Sequence, residues 1–93
     1  MIQSFQCQET RKVFEGEFSR KLPTGIQQVA HRKLLQLEIA ENLDDLRIPP
    51  ANRLEALRGN RKGQYSIRIN QQWRVCFQWK PDGAYHVEIV DYH

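Results

Sequence analysis

The stretch "QYSIRINQQWRVCFQWKPDGAYHVEIVDYH", residues 64–93, decides how this chain is built. Side chains of a strand alternate between two faces, and three runs here keep that period. Tyr65, Ile67 and Ile69 alternate with Ser66 and Arg68, and Trp73, Val75, Phe77 and Trp79 alternate with Arg74, Cys76 and Gln78. "PDG" at 81–83 spells a tight turn, after which Tyr85, Val87 and Ile89 alternate with His86, Glu88 and Val90. Three half-buried strands in an antiparallel meander are predicted. If Ile69 and Trp73 face one core, the link between them needs an odd number of residues, 70–72, which sets Arg68 opposite Arg74. Like charges opposed across a ladder repel, so the pair predicts an anion to share.

Upstream the period changes to that of a helix. Ile26, Val29, Ala30, Leu34, Leu37 and Ile39 form an apolar stripe over residues 26–40, with Gln27, Gln28, Arg32, Lys33, Gln36 and Glu38 on the solvent side. A shorter helix is predicted over residues 11–17, capped by Thr10 and carrying Val13, Phe14 and Phe18 on one face. "MIQSF" suits a short strand, and Pro23 and Gly25 mark a loop before the long helix. Asn42 caps one further turn, "LDDLR", which Pro49 and Pro50 end, making "RIPPANR" a rigid connector.

The chain has 93 residues, 40% hydrophobic and 27% charged, proportions that predict one folded domain and argue against disorder or a disulfide scaffold. No run of apolar residues is long enough to span a membrane and the opening lacks a leader's pattern, so a cytoplasmic protein is expected. Cys7 and Cys76 form no CxxC pair and no cluster with His31, His86 or His93; two reduced structural thiols are expected, with no metal and no cofactor. The net charge is only +3, but Arg53, Arg58, Arg61, Lys62, Arg68 and Arg74 crowd one segment where Glu55 alone opposes them. Such a field suits a polyanion such as nucleic acid.

Neither a phosphate-cradling GxxxxGK[ST] loop nor a dinucleotide GxGxxG is present, and no GxSxG marks a nucleophile. The tryptophans, Phe77 and Tyr85 alternate as core residues do, which favours packing over base stacking. Cleavage of RNA by its own 2'-hydroxyl needs a proton acceptor, a proton donor and cations at the phosphorane, and no protein nucleophile. Asp91, His93, Glu55, Arg58, Arg68 and Arg74 supply those three types. An imidazole ordinarily titrates near 6.5, so His93 can exchange protons near neutrality, and Asp91 would either orient the imidazole or act on a proton itself.

The segments "GxRxGQYSIRIN", "QWRVCF" and "VEIVDYH", with "LRIPP" before them, resemble the HigB-type toxins of bacterial toxin–antitoxin pairs, particularly their GraT-like branch. The resemblance implies a RelE/ParE-like α+β fold, with two main N-terminal helices packed on a small antiparallel sheet. It implies a ribosome-dependent messenger-RNA endoribonuclease working in the decoding site, neutralised by a HigA-like helix-turn-helix antitoxin with which it represses its own operator DNA. Transferred to this chain, the functional positions are Arg58, Arg74, Asp91, Tyr92 and His93, with Arg68 weaker. Arg61 and Lys62 join Arg58 and Arg68 as expected RNA-binding residues, and Tyr92 would orient the nucleotide. A histidine of some relatives falls on Glu55 here, and a lysine on Arg58, so Glu55 would move a proton without contributing positive charge. The alternative within this architecture is a noncatalytic module that binds gyrase or the ribosome.

Overall fold

A computed structural model describes residues 1–91. Helix α1 spans Gln8–Phe14 and α2 spans Thr24–Ile39; short 3-10 turns follow at Leu43–Arg47, Pro50–Asn52 and Gly59–Arg61. The strands are β1 Glu55–Ala56, β2 Gln64–Arg68, β3 Trp73–Lys80 and β4 Gly83–Asp91, and they form one antiparallel sheet in the order β1-β2-β3-β4. This is the α+β arrangement that the sequence predicts, with a fourth strand added. At two residues, β1 is too short to carry any periodic signal.

The core lies between the helices and one face of the sheet. Ala30, Leu34 and Leu37 of α2 and Val13 of α1 pack with Ile67, Val75, Phe77, Val87 and Ile89 in one cluster, on which Trp73, Trp79 and Tyr65 also rest. Ile39, counted in the predicted stripe, ends the helix 77% exposed, and Ala40 closes the buried row instead. Phe18 likewise lies beyond α1 and is exposed, because the helix stops four residues earlier.

The β2–β3 link behaves as parity requires. Ile69 N donates to Trp73 O, and Arg68 pairs with Arg74 in the ladder. Asn70 fixes the turn by accepting from the backbone of Gln72 at 2.8 Å and Trp73 at 2.7 Å through Oδ1. Asn42 caps the "LDDLR" turn with a reciprocal capping box through Asp45, as its position suggests.

Two further expectations change. Thr10 is not the cap of α1: Cys7 holds that position, and Thr10 lies fully buried inside the helix, where its Oγ1 accepts from Ile89 N at 3.0 Å. The third strand does not keep one alternation throughout. Ala84 pairs with Trp79 and Tyr85 with Gln78, but Glu88 pairs with Cys76, so one extra residue is accommodated between them. His86, at φ 55°, takes the left-handed turn of that bulge. Ala84 therefore faces the core, and Tyr85 joins Gln78 on the opposite face rather than Val87 and Ile89.

The N-terminal residues run parallel to β4, with bridges at Ile2 to Ala84 and Phe5 to Val87. Met1 O, Gln3 N, Ser4 O and Gln6 N bond to the backbone of Ala84 and Val87, and Thr10 continues the cover at Ile89. An edge that would otherwise invite pairing with another strand is thus occupied. Gly83 is required there: a Cβ would lie 2.0 Å from Met1 O, and its φ is 135°.

Candidate functional site

The sheet face turned away from the helices is polar, and Arg74 is its centre. Arg74 is held in place because three strands and a turn converge on it. Its Nε donates to Ser66 Oγ at 2.7 Å, its Nη2 donates to the carbonyl of Arg53 at 2.7 Å, and Glu55 Oε1 lies 3.9 Å from Nη2. Glu55 opposes Ser66 across β1 and β2, and Ser66 opposes Cys76 on β3. The side chain of Arg74 is only 11% exposed, whereas that of Glu55 is 48% exposed. A guanidinium so fixed surrenders little conformational freedom when it meets an oxyanion.

The carbonyl of Arg53 reaches Arg74 because Arg53 adopts the left-handed conformation, φ 45° and ψ 55°. A non-glycine residue there carries a cost of order 1–3 kcal/mol, sustained by its surroundings. The turn at Pro50–Asn52 supplies them. Asn52 is fully buried and its Nδ2 donates to Gln36 Oε1 at 3.0 Å and Leu46 O at 3.1 Å, while its Oδ1 accepts from Lys33 Nζ at 2.5 Å. Lys33 and Gln36, assigned to the solvent side of the helix by pattern, instead pin the connector to α2.

The remaining predicted residues divide into groups. Arg58 and Lys62 are exposed around a hollow of about 410 Å³ that Gly59, Gly63 and Tyr65 also line; both glycines take positive φ, the backbone freedom their spacing suggests. Arg61 is half-buried and tied down, with Nη2 3.4 Å from Glu88 Oε1 and Nη1 donating to Gln64 Oε1. Arg68 opposes Arg74 in register, yet its Nε donates to Asn70 O and the residue borders a separate cleft toward α2. The two arginines are neighbours held by different partners.

Asp91 opposes Trp73, so it lies on the core-side face, across the sheet from Arg74. Its two oxygens accept from Gln72 Nε2 at 3.1 and 3.2 Å, which ties the end of β4 to the β2–β3 turn. Glu55, rather than Asp91, is the carboxylate beside Arg74 on the polar face. Tyr92 and His93 lie outside the described residues.

Cys76 is fully buried beneath this face, and burial pushes its thiol above the ordinary 9.0. It is a packing residue, as expected, and Cys7 is also a free thiol. No group of three or more His, Cys, Asp or Glu gathers in metal-binding geometry among the described residues, and no helix among them is long and apolar enough to cross a membrane. Ser66 and the Arg53 carbonyl are the partners that residue patterns missed. Ser66 was legible as a small polar residue on the arginine face, but a backbone carbonyl leaves no mark in a sequence.

Residues 3–93 match the model of the HigB-like toxins, described as the RelE-like toxin of the type II toxin–antitoxin system HigB. The chain is 52% identical over 74 residues to Toxin HigB-1 of Vibrio cholerae, a match covering 80% of this chain and 77% of that one. It is also 28% identical over 93 residues to the Endoribonuclease HigB of Proteus vulgaris, end to end in both chains. An uncharacterized protein of Haemophilus influenzae is 40% identical over 65 residues, 70% of this chain and 64% of its own. The helix-covered antiparallel sheet and these matches together place the chain in the HigB-like family, as a RelE-like toxin of a type II toxin–antitoxin system.

Proposed function

We propose that this toxin is a ribosome-dependent endoribonuclease that cuts translated messenger RNA in the decoding site. The observation that carries this reading is the clamped guanidinium of Arg74 beside a solvent-accessible carboxylate, Glu55, on the polar face of the sheet. The end-to-end relative named an endoribonuclease supports the same chemistry.

In the proposed reaction the 2'-hydroxyl loses its proton to a base, its oxygen bonds to phosphorus, and the 5'-oxygen leaves with a proton from an acid. The products are a 2',3'-cyclic phosphate and a 5'-hydroxyl. Arg74 faces the nonbridging oxygens, where negative charge grows in the phosphorane, and Arg58 steadies the adjoining backbone. Glu55 accepts the proton, His93 donates one, and Tyr92 orients the nucleotide. Asp91 serves from the other face by fixing the end of β4 through Gln72. Arg61 contributes to the field while bracing the loop against Glu88.

The antitoxin is proposed to be a HigA-like helix-turn-helix protein, the complex of the two to act on operator DNA, and the site of action to be the cytoplasm. Purified toxin added to translating ribosomes should produce new messenger-RNA ends within codons. Arg74→Ala should lower the single-turnover cleavage rate about 10²- to 10³-fold, the usual loss when one preorganised donor is removed. Undiminished cleavage by the folded variant would overturn the assignment, and growth arrest with DNA damage but no RNA ends would favour gyrase inhibition.

A further inference from the structure

Beside the Arg74 site, a cleft of about 480 Å³ opens between α2, the Pro50–Asn52 turn and the end of β2. Arg32, Lys33, Arg53 and Arg68 all border it, and no carboxylate among the described residues does. Five basic residues elsewhere on the surface have partners: Lys12 pairs with Glu9, Arg47 with Asp44 and Arg61 with Glu88, while Arg11 and Lys80 lie over Phe5 and Tyr85. None of the four cleft residues makes an ion pair among the described residues. Lys33 is held by a neutral acceptor, Asn52 Oδ1, and burial first, then the neighbouring charge of Arg32, pulls its ammonium below the ordinary 10.5.

Four like charges drawn around one hollow repel, and an anion entering it relieves that repulsion. Two residues that border the cleft also adjoin Arg74. Arg53 gives its carbonyl to Arg74 while bordering the cleft, and Arg68 opposes Arg74 in the ladder while bordering it too. A ligand with regularly repeated negative charge would therefore reach both places at once. We propose that this cleft binds a backbone phosphate of single-stranded RNA, flanking the phosphate held at Arg74. The choice of RNA as ligand rests on the ribonuclease reading; the anion site itself does not.

The test uses the whole toxin, a 2'-O-methylated RNA hexamer that cannot be cleaved, and inorganic phosphate. Saturation with the hexamer should move the titration of the Lys33 side chain, followed by NMR, toward higher pH, because the bound phosphate favours the charged form. Arg32→Gln, at an exposed position that leaves the Asn52 network whole, should weaken hexamer binding equally across sequences. It should also make the slope of log affinity against log salt shallower by about 0.7, the value for one phosphate contact on a single strand. An unmoved Lys33 at saturation, or an unchanged slope in Arg32→Gln, overturns the proposal. A response to inorganic phosphate but not to the hexamer also overturns it, in favour of a free-anion site. If Arg32→Gln weakens the antitoxin complex and spares RNA binding, the cleft takes an acidic protein segment and the proposal again fails. Failure of the cleavage reading shows separately, as undiminished cleavage in Arg74→Ala with the Lys33 response intact.

Discussion

The two faces of the sheet are built from the same strands and held by different forces. Toward the helices, Ile67, Val75, Phe77, Val87 and Ile89 are fixed by apolar burial, which is non-directional and tolerates exchange of shape. On the other side, Glu55, Ser66, Arg74 and Glu88 are fixed by directed bonds whose worth depends on distance and on a partner being present. The first face sets stability, and the second sets where charge is held. A substitution should therefore affect one property and spare the other.

Phe77→Ala is the severest trial of that separation. It empties a fully buried site and should cost about 3–5 kcal/mol in urea unfolding, while cleavage per folded molecule at low temperature stays near that of the parent. A large fall in intrinsic cleavage would mean that the faces are coupled. Ser66→Ala works in the opposite sense: losing a charge-assisted hydrogen bond to Arg74 should lower single-turnover cleavage by the equivalent of about 1.5–3 kcal/mol at most, with urea unfolding near that of the parent. If cleavage were untouched, Arg53 O alone would suffice to hold the guanidinium. Arg61→Ala should cost less than about 1 kcal/mol, since its ion pair with Glu88 is partly exposed and screened, and added salt should narrow the difference from the parent.

The smallest effect belongs to Cys76. Because burial raises its thiol, the folded protein keeps that proton to a higher pH than the unfolded chain. The resulting stability is whole below 9.0 and is lost as pH rises through the folded value, and Cys76→Ala should remove this alkaline slope. At pH 8 a thiol reagent should label Cys7 well before Cys76; equal rates would show that the polar face opens readily.

Features set by repetition along the chain were readable from it. The long stripe of α2, the alternation of β2 and β3 and the pairing of Arg68 with Arg74 all follow from period and parity. Features set by a single residue's conformation were not. No glycine announces the bulge at His86, so the change of face between Tyr85 and Val87 was hidden. Thr10 has the right chemistry for a cap, but its hydroxyl meets a strand N–H from the far end of the chain. Arg58, Arg68 and Arg74 were legible as a basic field, yet only the folded connector distinguishes the clamped Arg74 from exposed Arg58 and from Arg68 beside its own cleft. Asp91 lay near Arg74 along the strands, and the pleat put it on the other side.

The bond from Arg74 to the Arg53 carbonyl affects how the site would look in a saturation mutagenesis experiment. Every amino acid carries that oxygen, so exchanging the Arg53 side chain leaves the acceptor in place, and glycine, at home at φ 45°, should even be well tolerated. Only proline, whose ring forbids a positive φ, would withdraw it. A fitness map would credit any loss at position 53 to its cationic side chain at the neighbouring cleft, with proline the steepest loss, and would conceal the backbone partner of Arg74.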